Sequence, residues 1–213
     1  MKNEKSIPII GVSDLRVESD GPGIRTLIIS PECPLNCKYC INDFCHKCPD
    51  DKIMSYSVTS LYKKIKNRRI YYWASGGGVV FGGGEPLLHE DYILEFSQRY
   101  GREISITIET SLNVPIMHLE ELKKTIDLFI VDIKDMNSEV YEHYTGMSNN
   151  LLIENLARIV DVENKVMIRI PLIKGFNEKK DQIKSRNLLK TMGFSRFDFL
   201  TYVVRGDSNG AEK

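Results

Sequence analysis

The sequence predicts an α/β protein that folds as a partial (β/α)6 barrel of the TIM type. Six short runs rich in β-branched and aromatic residues are typical of strands: Thr26–Ser30, Val79–Phe81, Ile104–Ile108, Leu128–Val131, Val166–Ile170 and Phe197–Leu200. The intervals between them suit crossover helices and are too long for hairpins. A complete eight-unit barrel takes ~250 residues, so six units in 213 residues predict a partial barrel or an open parallel sheet.

Apolar residues recur at helical spacing between these runs. Two such sets are Val58, Leu61, Tyr62 and Ile65, and Leu152, Leu156, Ile159 and Val160. Polar or glycine-rich groups follow the strands: the cysteines, Gly82–Glu85, Glu109–Ser111, Asp132–Lys134, Arg169–Pro171 and Thr201–Tyr202. Because sites in such folds lie beyond the carboxyl ends of the strands, we expect these groups to share one rim.

Composition favours a single domain over residues 1–213, with 203–213 as a loose polar tail. Lys plus Arg and Asp plus Glu both number 29, so no charge excess favours nucleic acid or an anionic membrane as a partner. No run approaches the ~20 apolar residues of a membrane span, and the N-terminus does not read as a signal peptide. We therefore expect a soluble, cytoplasmic protein.

All five cysteines lie in one short segment, which is typical of metal binding rather than of a disulfide scaffold. Cys33, Cys37 and Cys40 have the spacing C-x3-C-x2-C. Three thiolates on a [4Fe-4S] cluster leave one iron open for an exogenous chelating molecule. The alternative is a zinc site completed by Cys45, Cys48 or His46.

Cys45 and Cys48 form a second C-x2-C pair with no assigned role. Two thiols cannot hold a [4Fe-4S] cluster in the usual four-thiolate manner. Inert thiols, a redox-sensitive pair and metal binding with help from another residue or chain all stay open.

Glycines and charged residues at the other strand ends are candidate ligand contacts. Gly83 and Gly84 allow the backbone to approach a ligand, and Glu85 can accept a hydrogen bond from an ammonium group, although a plain turn gives the same pattern. Glu109 and Asp132 on neighbouring strand ends would repel each other unless a cation lies between them or one is protonated.

Two further motifs carry polar groups. Lys134 and Arg169 are expected to pair either with the two acids or with a carboxylate of the ligand. Gly21-Pro22-Gly23 predicts a tight turn entering the first strand, with Asp20 and Arg25 beside it.

Seven motifs in order resemble one family, the activating enzymes of glycyl radical enzymes within the radical S-adenosylmethionine (SAM) superfamily. They are DGPGIRT (20–26), the cysteine triad with Tyr39, GGGVVFGGGEPLL (76–88), IETS (108–111), DIKDMN (132–137), HYTGMSN (143–149) and RIPLIKGFN (169–177). The resemblance runs from about Gly11 to Tyr202 and implies a radical SAM core. One departure is Leu200-Thr201-Tyr202-Val203, where the family commonly has Leu-Pro-Tyr-His.

The resemblance implies a [4Fe-4S] cluster on the triad and SAM on its open iron. Reductive cleavage would yield a 5′-deoxyadenosyl radical that abstracts a hydrogen from a glycine of the partner, with flavodoxin or ferredoxin as electron donor. The implied site residues are Tyr39 near adenine, Gly83, Gly84 and Glu85 at the methionine ammonium group, Lys134 and Arg169 at its carboxylate, and Tyr202 as a further SAM contact. A monovalent cation would be held by Glu109, Thr110, Val131 and Asp132, and the partner peptide would be received by Asp20, Gly21, Pro22, Gly23 and Arg25.

Three alternatives remain at this stage. SAM cleavage would stand if the substrate were a ribosomal peptide undergoing epimerisation or cross-linking, or an anaerobic ribonucleotide reductase. The third, from a different class, is a non-enzymatic zinc or iron–sulfur binding module.

Overall fold

A computed structural model describes residues 4–201 of the chain. Its strands are β1 Ser6–Ile9, β2 Gly11–Val17, β3 Ile24–Ser30, β4 Met54–Ser57, β5 Gly78–Gly83, β6 Ser105–Thr110, β7 Leu128–Asp132, β8 Val166–Leu172 and β9 Phe197–Thr201. Its α-helices are α1 Phe44–Lys47, α2 Val58–Ile65, α3 Arg69–Ser75, α4 Glu90–Tyr100, α5 Leu119–Thr125, α6 Ser138–Thr145, α7 Asn150–Ile159 and α8 Lys179–Thr191. Short 3-10 turns are Asp50–Lys52, Lys66–Arg68, Pro86–His89 and Val160–Lys165.

The main sheet runs in the order β2-β3-β5-β6-β7-β8-β9, and the six strands from β3 to β9 are parallel. Each parallel strand therefore pairs with the next one along the chain. Right-handed crossovers then place every connecting helix on the same face, which curls the sheet into a partial barrel rather than a doubly wound layer. The predicted partial (β/α)6 barrel is confirmed.

The two faces of the sheet differ in chemistry. Alternate residues such as Phe81, Ile108 and Ile168 pack with the helices in one core cluster, where all three are fully buried. The residues between them face the inside of the barrel, where Arg25 donates to Thr107 Oγ1 and a Cβ on Gly82 would meet Glu109. The barrel interior thus contains polar side chains among apolar ones such as Val80 and Ile130, whereas the helix-facing layer is apolar.

Helix boundaries follow ordinary capping chemistry. Ser57 caps α2, since its hydroxyl accepts from the backbone N–H of Ser60, and Val58 and Leu61 are buried on its inner face. Asn137 caps α6 through the N–H groups of residues 139 and 140. That helix ends at Gly146, whose φ of 73° is in the left-handed region that favours glycine.

Three strands were not predicted from the sequence. The edge strand β2 pairs antiparallel with β3 and carries a register shift between Ser13 and Arg16. The short strands β1 and β4 form a separate two-stranded antiparallel sheet. The residues of β2 and β4 are mixed and largely exposed and give no strong apolar alternation, whereas β1 alternates but is only four residues long.

Some expectations fall on parts of the chain that the structure does not describe. Tyr202 and the predicted tail at 203–213 lie outside the described residues. Within residues 4–201, no helix is long and apolar enough to cross a membrane.

Candidate functional site

A cleft opens at the carboxyl ends of the parallel strands and has an empty volume of about 750 Å³, including its open mouth. It is lined by predicted site residues from five strand ends: Cys33, Cys37, Cys40, Gly83, Gly84, Glu85, Glu109, Thr110, Asp132, Lys134 and Arg169. Ser111, which belongs to the predicted rim group Glu109–Ser111, also lines the cleft, and Leu35, Ile41, Asn42 and Leu200 complete the lining without having been predicted as site residues. The expected common rim therefore exists.

The cysteine loop, residues 31–43 between β3 and α1, is held by hydrogen bonds on both sides. The backbone N–H of Asn36 donates to Thr145 O at 2.8 Å, which ties the loop to the end of α6. On the other side, Asn42 Nδ2 donates to Gly83 O at 2.9 Å. Leu35 anchors the loop with only 2 % of its surface exposed. These contacts fix the conformation of the loop that carries the three thiols.

Two thiols of the triad, those of Cys33 and Cys37, are partly buried and have raised pKa values. Burial raises the pKa of Cys33 to about 12, and the nearby Glu85 carboxylate adds to that shift. Burial also raises the pKa of Cys37 to about 11, although Lys134 opposes it. Binding to iron must therefore displace protons from both sulfurs, which makes cluster assembly favour higher pH.

The donor set fits a cluster better than a single metal ion. Among residues 4–201, no group of three or more His, Cys, Asp or Glu side chains converges as a mononuclear metal site. A tetrahedral zinc site needs four ligands on one ion, whereas the thiolates of a cluster bind different irons. Asp132 Oδ1 is buried in the cleft wall without a hydrogen-bond partner, so the site also retains an acceptor for a ligand donor group.

Close packing explains why glycine is required at positions 83 and 84, at the end of β5. A Cβ on Gly84 would lie 2.0 Å from Glu32 O, because the cysteine loop crosses directly over it. Gly83 has a φ of +93°, and a Cβ there would lie 2.6 Å from Ile29 Cγ2. The sequence predicted that glycine allows a ligand to approach the backbone here. The structure gives a second reason, which is the close packing of the cysteine loop against these residues.

Glu85 is a buried carboxylate with a full set of donors. It accepts from Thr110 Oγ1 at 2.7 Å, from the N–H and the hydroxyl of Ser111 at 2.9 and 2.7 Å, and from Leu87 N at 3.2 Å. Burial still raises its pKa, and these hydrogen bonds oppose the shift. The predicted ammonium contact through this side chain therefore competes with four internal donors. Its structural effect is to join the ends of β5 and β6.

The two acids of the predicted cation site already have cationic neighbours. Arg169 Nη1 donates to Glu109 Oε1 at 2.6 Å, and Lys134 Nζ lies 2.5 Å from Asp132 Oδ2. The expected repulsion between the carboxylates is thus relieved by side chains, which removes the charge argument for a monovalent cation. Val131 is fully buried in the helix-facing core.

Tyr39 packs in an aromatic cluster rather than along the cleft wall. Its ring meets Phe176 edge-on with centroids 5.6 Å apart, and Tyr144 at 6.5 Å. Phe176 also contacts Tyr144 and His143. The cluster joins the cysteine loop to the segments after β7 and β8, so its clearest effect is to hold the top of the barrel together.

The DGPG turn lies at the amino end of β3, opposite the cysteines. Gly23 has a φ of +75°, and a Cβ there would strike the backbone of Ser75 and Gly77. Arg25 is 2 % exposed and donates to Pro22 O and to Thr107. Asp20 is equally buried and pairs with Arg16. The side chains of Asp20 and Arg25, two of the five predicted peptide contacts, are therefore paired within the protein. The turn lies away from the cysteines because residues that precede a strand fall at its amino end.

Asn177 was missed by the sequence analysis, although it lies in one of the seven motifs. The residue is 6 % exposed, and its Oδ1 accepts from Ile173 N at 2.6 Å. Its Nδ2 donates to Asp135 Oδ2 at 3.2 Å and Pro171 O at 3.1 Å. This amide joins the loops after β7 and β8. In the sequence, only its position next to Phe176 in a polar loop hinted that Asn177 has a structural role.

The second cysteine pair lies beside the triad. Cys45 in α1 is 3 % exposed, and burial raises its pKa to about 12, with Cys40 and Cys48 adding to the shift. Its carbonyl accepts from Glu32 N at 3.1 Å, which ties α1 to the start of the cysteine loop. The Cys45 thiol is thus buried beside the triad, while Cys48 is half-exposed.

Comparisons with known proteins agree with this arrangement. The Radical SAM superfamily matches residues 27–184 of the chain. The chain is 30 % identical to the pyruvate formate-lyase-activating enzyme of Staphylococcus epidermidis, with 86 % of this chain and 76 % of that protein aligned. It is 28 % identical to the (2S)-3-sulfopropanediol dehydratase activating enzyme of Klebsiella oxytoca, over 78 % of this chain and 71 % of that protein.

Solved structures share the fold. Streptococcus suis SuiB aligns with a TM-score of 0.65 and 19 % identity, covering 84 % of this chain and 40 % of SuiB. SuiB bound to S-adenosylmethionine aligns with a TM-score of 0.64 and 18 % identity, covering 84 % of this chain and 43 % of that one. The chain therefore belongs to the radical SAM superfamily, whose members use a [4Fe-4S] cluster and SAM, and within it to the family of glycyl radical enzyme activating enzymes.

Proposed function

We propose that this protein cleaves SAM reductively and abstracts a hydrogen from the glycine α-carbon of a partner glycyl radical enzyme. The observation that carries the proposal is the convergence of the cysteine loop with four further strand ends on one cleft. Relatives that cover most of the chain are activating enzymes of pyruvate formate-lyase, sulfopropanediol dehydratase and 4-hydroxyphenylacetate decarboxylase, which supports a partner of that class.

Cys33, Cys37 and Cys40 would hold the cluster, and its open iron would take SAM, which supplies a carbon radical when one electron is added. Around it, Asp132 Oδ1 is the unpartnered acceptor suited to the ammonium group of SAM. Lys134 lies near enough to Cys37 to affect its pKa and is a candidate for the SAM carboxylate. Leu35, Ile41 and Leu200 provide apolar wall that limits water around a reactive carbon radical.

Other predicted site residues would position their neighbours rather than contact SAM. Glu85, with its four donors, would position Thr110 and Ser111 rather than bind SAM directly. Arg169 would hold Glu109 and the carbonyl of Ser19, to which its Nη2 donates at 3.0 Å. Asp20 and Arg25 would shape the turn whose exposed Pro22 is available to a partner peptide.

The electron donor we propose is a low-potential carrier such as flavodoxin or ferredoxin, since iron–sulfur potentials extend to roughly −700 mV. We also propose a cytoplasmic location, where thiols stay reduced and such carriers operate.

The test is anaerobic reconstitution with iron and sulfide, followed by reduction in the presence of SAM. The expected products are 5′-deoxyadenosine and methionine. Adding a glycyl radical enzyme encoded nearby should then give a glycyl doublet in electron paramagnetic resonance. Reconstituted, reduced protein that forms no 5′-deoxyadenosine would contradict the proposal. Formation of 5′-deoxyadenosine without a glycyl signal on any neighbouring candidate would favour a peptide-modifying enzyme instead.

A further inference from the structure

Helices α2 and α3 carry a stripe of exposed residues on their outer side. The 3-10 turn Lys66–Arg68 joins the two helices, and the residues at both joins have right-handed helical φ and ψ angles. The chain from 58 to 75 therefore keeps nearly continuous helical periodicity. Residues three or four positions apart lie on one side of a helix. Four exposed residues with that spacing form what we call the α2–α3 stripe: Lys63, Lys66, Ile70 and Trp73.

The apolar half of the stripe is open to solvent. Ile70 is 62 % exposed and Trp73, the only tryptophan of the chain, is 85 % exposed. Tyr71 beside them is also exposed. Neighbouring large apolar side chains on the surface of a soluble protein mark an interaction site, whereas single ones do not.

The other half of the stripe is cationic. Within residues 4–201 neither Lys63 nor Lys66 forms an ion pair, whereas the neighbouring Arg69 is paired with Glu103. The segment 52–84 contains no acidic residue, so no neighbour in sequence balances the two charges. The stripe therefore requires a partner that covers an aromatic ring at one end and accepts ammonium groups at the other.

We propose that the α2–α3 stripe is the contact face of a homodimer, in which a second copy of the chain lies antiparallel across it. In this register Lys63 faces Trp73 of the second copy, and Lys66 faces Ile70. The twofold symmetry makes each contact twice. An indole ring is the best aromatic partner for an ammonium group, and the methylene groups of a lysine cover apolar surface. The stripe is thus complementary to itself.

The antiparallel register also separates like charges. Lys63 and Trp73 lie ten residues apart in the sequence, so the Lys63 side chains of the two copies are about 15 Å apart along the helices. That separation exceeds the Debye length of about 8 Å at physiological ionic strength, so their repulsion is largely screened. A parallel pairing would instead place each lysine against its own counterpart.

The proposed dimer leaves the cleft accessible. Helix α3 ends at Gly76, which leads the chain into the amino end of β5, whereas the cleft lies at the carboxyl ends of the strands. Both copies can therefore admit SAM and a partner protein. The dimer goes beyond the proposed function and does not depend on it.

The test is sedimentation velocity of the full chain, reconstituted anaerobically with iron and sulfide and kept reduced so that no disulfide links two copies. A single helix pair buries less than the ~1,600 Å² of a standard interface, so we expect a weak dimer with a dissociation constant on the order of tens of micromolar. Protein that stays monomeric at ten times that concentration would overturn the proposal and assign the stripe to an acidic protein or an anionic membrane.

Trp73→Ser removes the main apolar contact. Because interface tryptophans are typical hot spots, we expect the dissociation constant to rise at least about thirtyfold. Met117→Ser is the matched control, since Met117 is 80 % exposed but lies before α5 and outside the stripe. It should leave the dimer intact. A dimer that survives Trp73→Ser, or that is weakened equally by Met117→Ser, would overturn the proposal.

Mixing two variants tests the register. In a Lys63→Glu homodimer both Trp73 rings would face a carboxylate, and in a Trp73→Lys homodimer two pairs of ammonium groups would face each other. Each variant alone should therefore be monomeric. In an equimolar mixture, one contact joins the new carboxylate to the new ammonium group, and the other keeps the original pair of Lys63 and Trp73. Association should then return. A mixture that stays monomeric would overturn the antiparallel pairing.

Discussion

Arg169 and Glu109 form an ion pair inside the barrel, with Arg169 Nη1 and Glu109 Oε1 2.6 Å apart. They stand on β8 and β6, so their contact spans the intervening strand β7. The same guanidinium donates to Asp198 on β9 and to the carbonyl of Ser19. Its pKa is raised because burial, which lowers it, is outweighed by Glu109, Asp132 and Asp198. One side chain thus ties together the floor of the cleft.

We expect Arg169→Gln to destabilise the metal-free protein. The substitution leaves the Glu109 carboxylate in a buried position without its cation. Removing one partner of a mostly buried pair costs ~3 kcal/mol. Urea unfolding followed by circular dichroism measures the change.

The double variant Glu109→Gln with Arg169→Gln should recover much of that loss, because no uncompensated charge remains. The control is Lys184→Gln, since the Lys184 side chain is 76 % exposed in its pair with Asp181 and surface pairs contribute about 0–1 kcal/mol. If Arg169→Gln unfolds at the wild-type urea concentration, the ion pair contributes nothing to the fold.

The triad and the second cysteine pair should behave differently on substitution. Cys37→Ser removes a proposed cluster ligand, so reconstituted protein should lose bound iron and its electron paramagnetic resonance signal. Cys48→Ser removes a half-exposed thiol of the second pair and should retain both. Iron and sulfide analysis per chain provides the measurement. Equal iron retention in the two variants would remove Cys37 from the ligand set.

The raised pKa values of the partly buried thiols Cys33 and Cys37 predict slow alkylation of the metal-free protein. Because burial raises the pKa of Cys33 to about 12 and that of Cys37 to about 11, few thiolates are present at pH 8. Their reaction with iodoacetamide should rise about tenfold per pH unit in the folded protein and become much faster in urea. Mass spectrometry of peptides resolves the sites. Folded and unfolded protein reacting at the same rate would contradict the burial.

Stability should depend on pH through the same two thiols. A folded pKa above the unfolded value of 9.0 contributes stability that is fully present below pH 9. That contribution is lost as pH rises through 11 and 12. Metal-free wild type should therefore lose more stability than the Cys33→Ser, Cys37→Ser double variant between pH 9 and pH 10.5, measured by thermal unfolding. A parallel decline in both proteins would exclude these thiols as the cause.

Most of the parallel strands could be predicted because they are largely buried, whereas the edge strand β9 is half-exposed and was predicted from its apolar and aromatic residues. All six predicted runs fall within observed strands to within one residue, since continuous apolar stretches such as Val79–Phe81 leave few other structures. The common rim of polar groups could also be predicted from the sequence, because the carboxyl ends of parallel strands lie on the same side of the sheet. The hydrogen bonds and ion pairs among the polar side chains could not be predicted from the sequence. The sequence places Arg169 and Glu109 on one rim but cannot tell that they bond to each other rather than to a ligand.

The exposed and local features were harder to predict. Strand β2 lies at an edge and mixes charged with apolar residues, so its pattern is weak. The role of Asn177 depends on which groups surround it after folding, and no spacing in the sequence marks it. Gly84 was recognised as a special position, yet its reason, the carbonyl of Glu32 above it, requires the three-dimensional path of the cysteine loop.

Asn177 should be critical for the loops after β7 and β8. Asn177→Ala removes bonds to Asp135, Pro171 and Ile173 and leaves buried polar groups unpaired, each costing ~1–3 kcal/mol. We expect a clear drop in unfolding temperature. Asn187→Ala on the exposed face of α8 is the control and should change it little. If the two variants unfold together, the Asn177 network does not stabilise the fold.

Gly84 offers the sharpest test of how the cysteine loop is held. In Gly84→Ala the new Cβ would lie 2.0 Å from Glu32 O, so the cysteine loop must shift away from β5. Gly76→Ala is the matched control: its φ of +69° is strained for alanine, at about 1 kcal/mol, but nothing lies within 4 Å of the new Cβ. We expect Gly76→Ala to lose a little stability and to retain the cluster after reconstitution. Gly84→Ala should lose iron even at temperatures where circular dichroism shows it folded, because the shift displaces Cys33 relative to Cys37. Full iron content in folded Gly84→Ala would mean that the loop adapts without cost to the cluster.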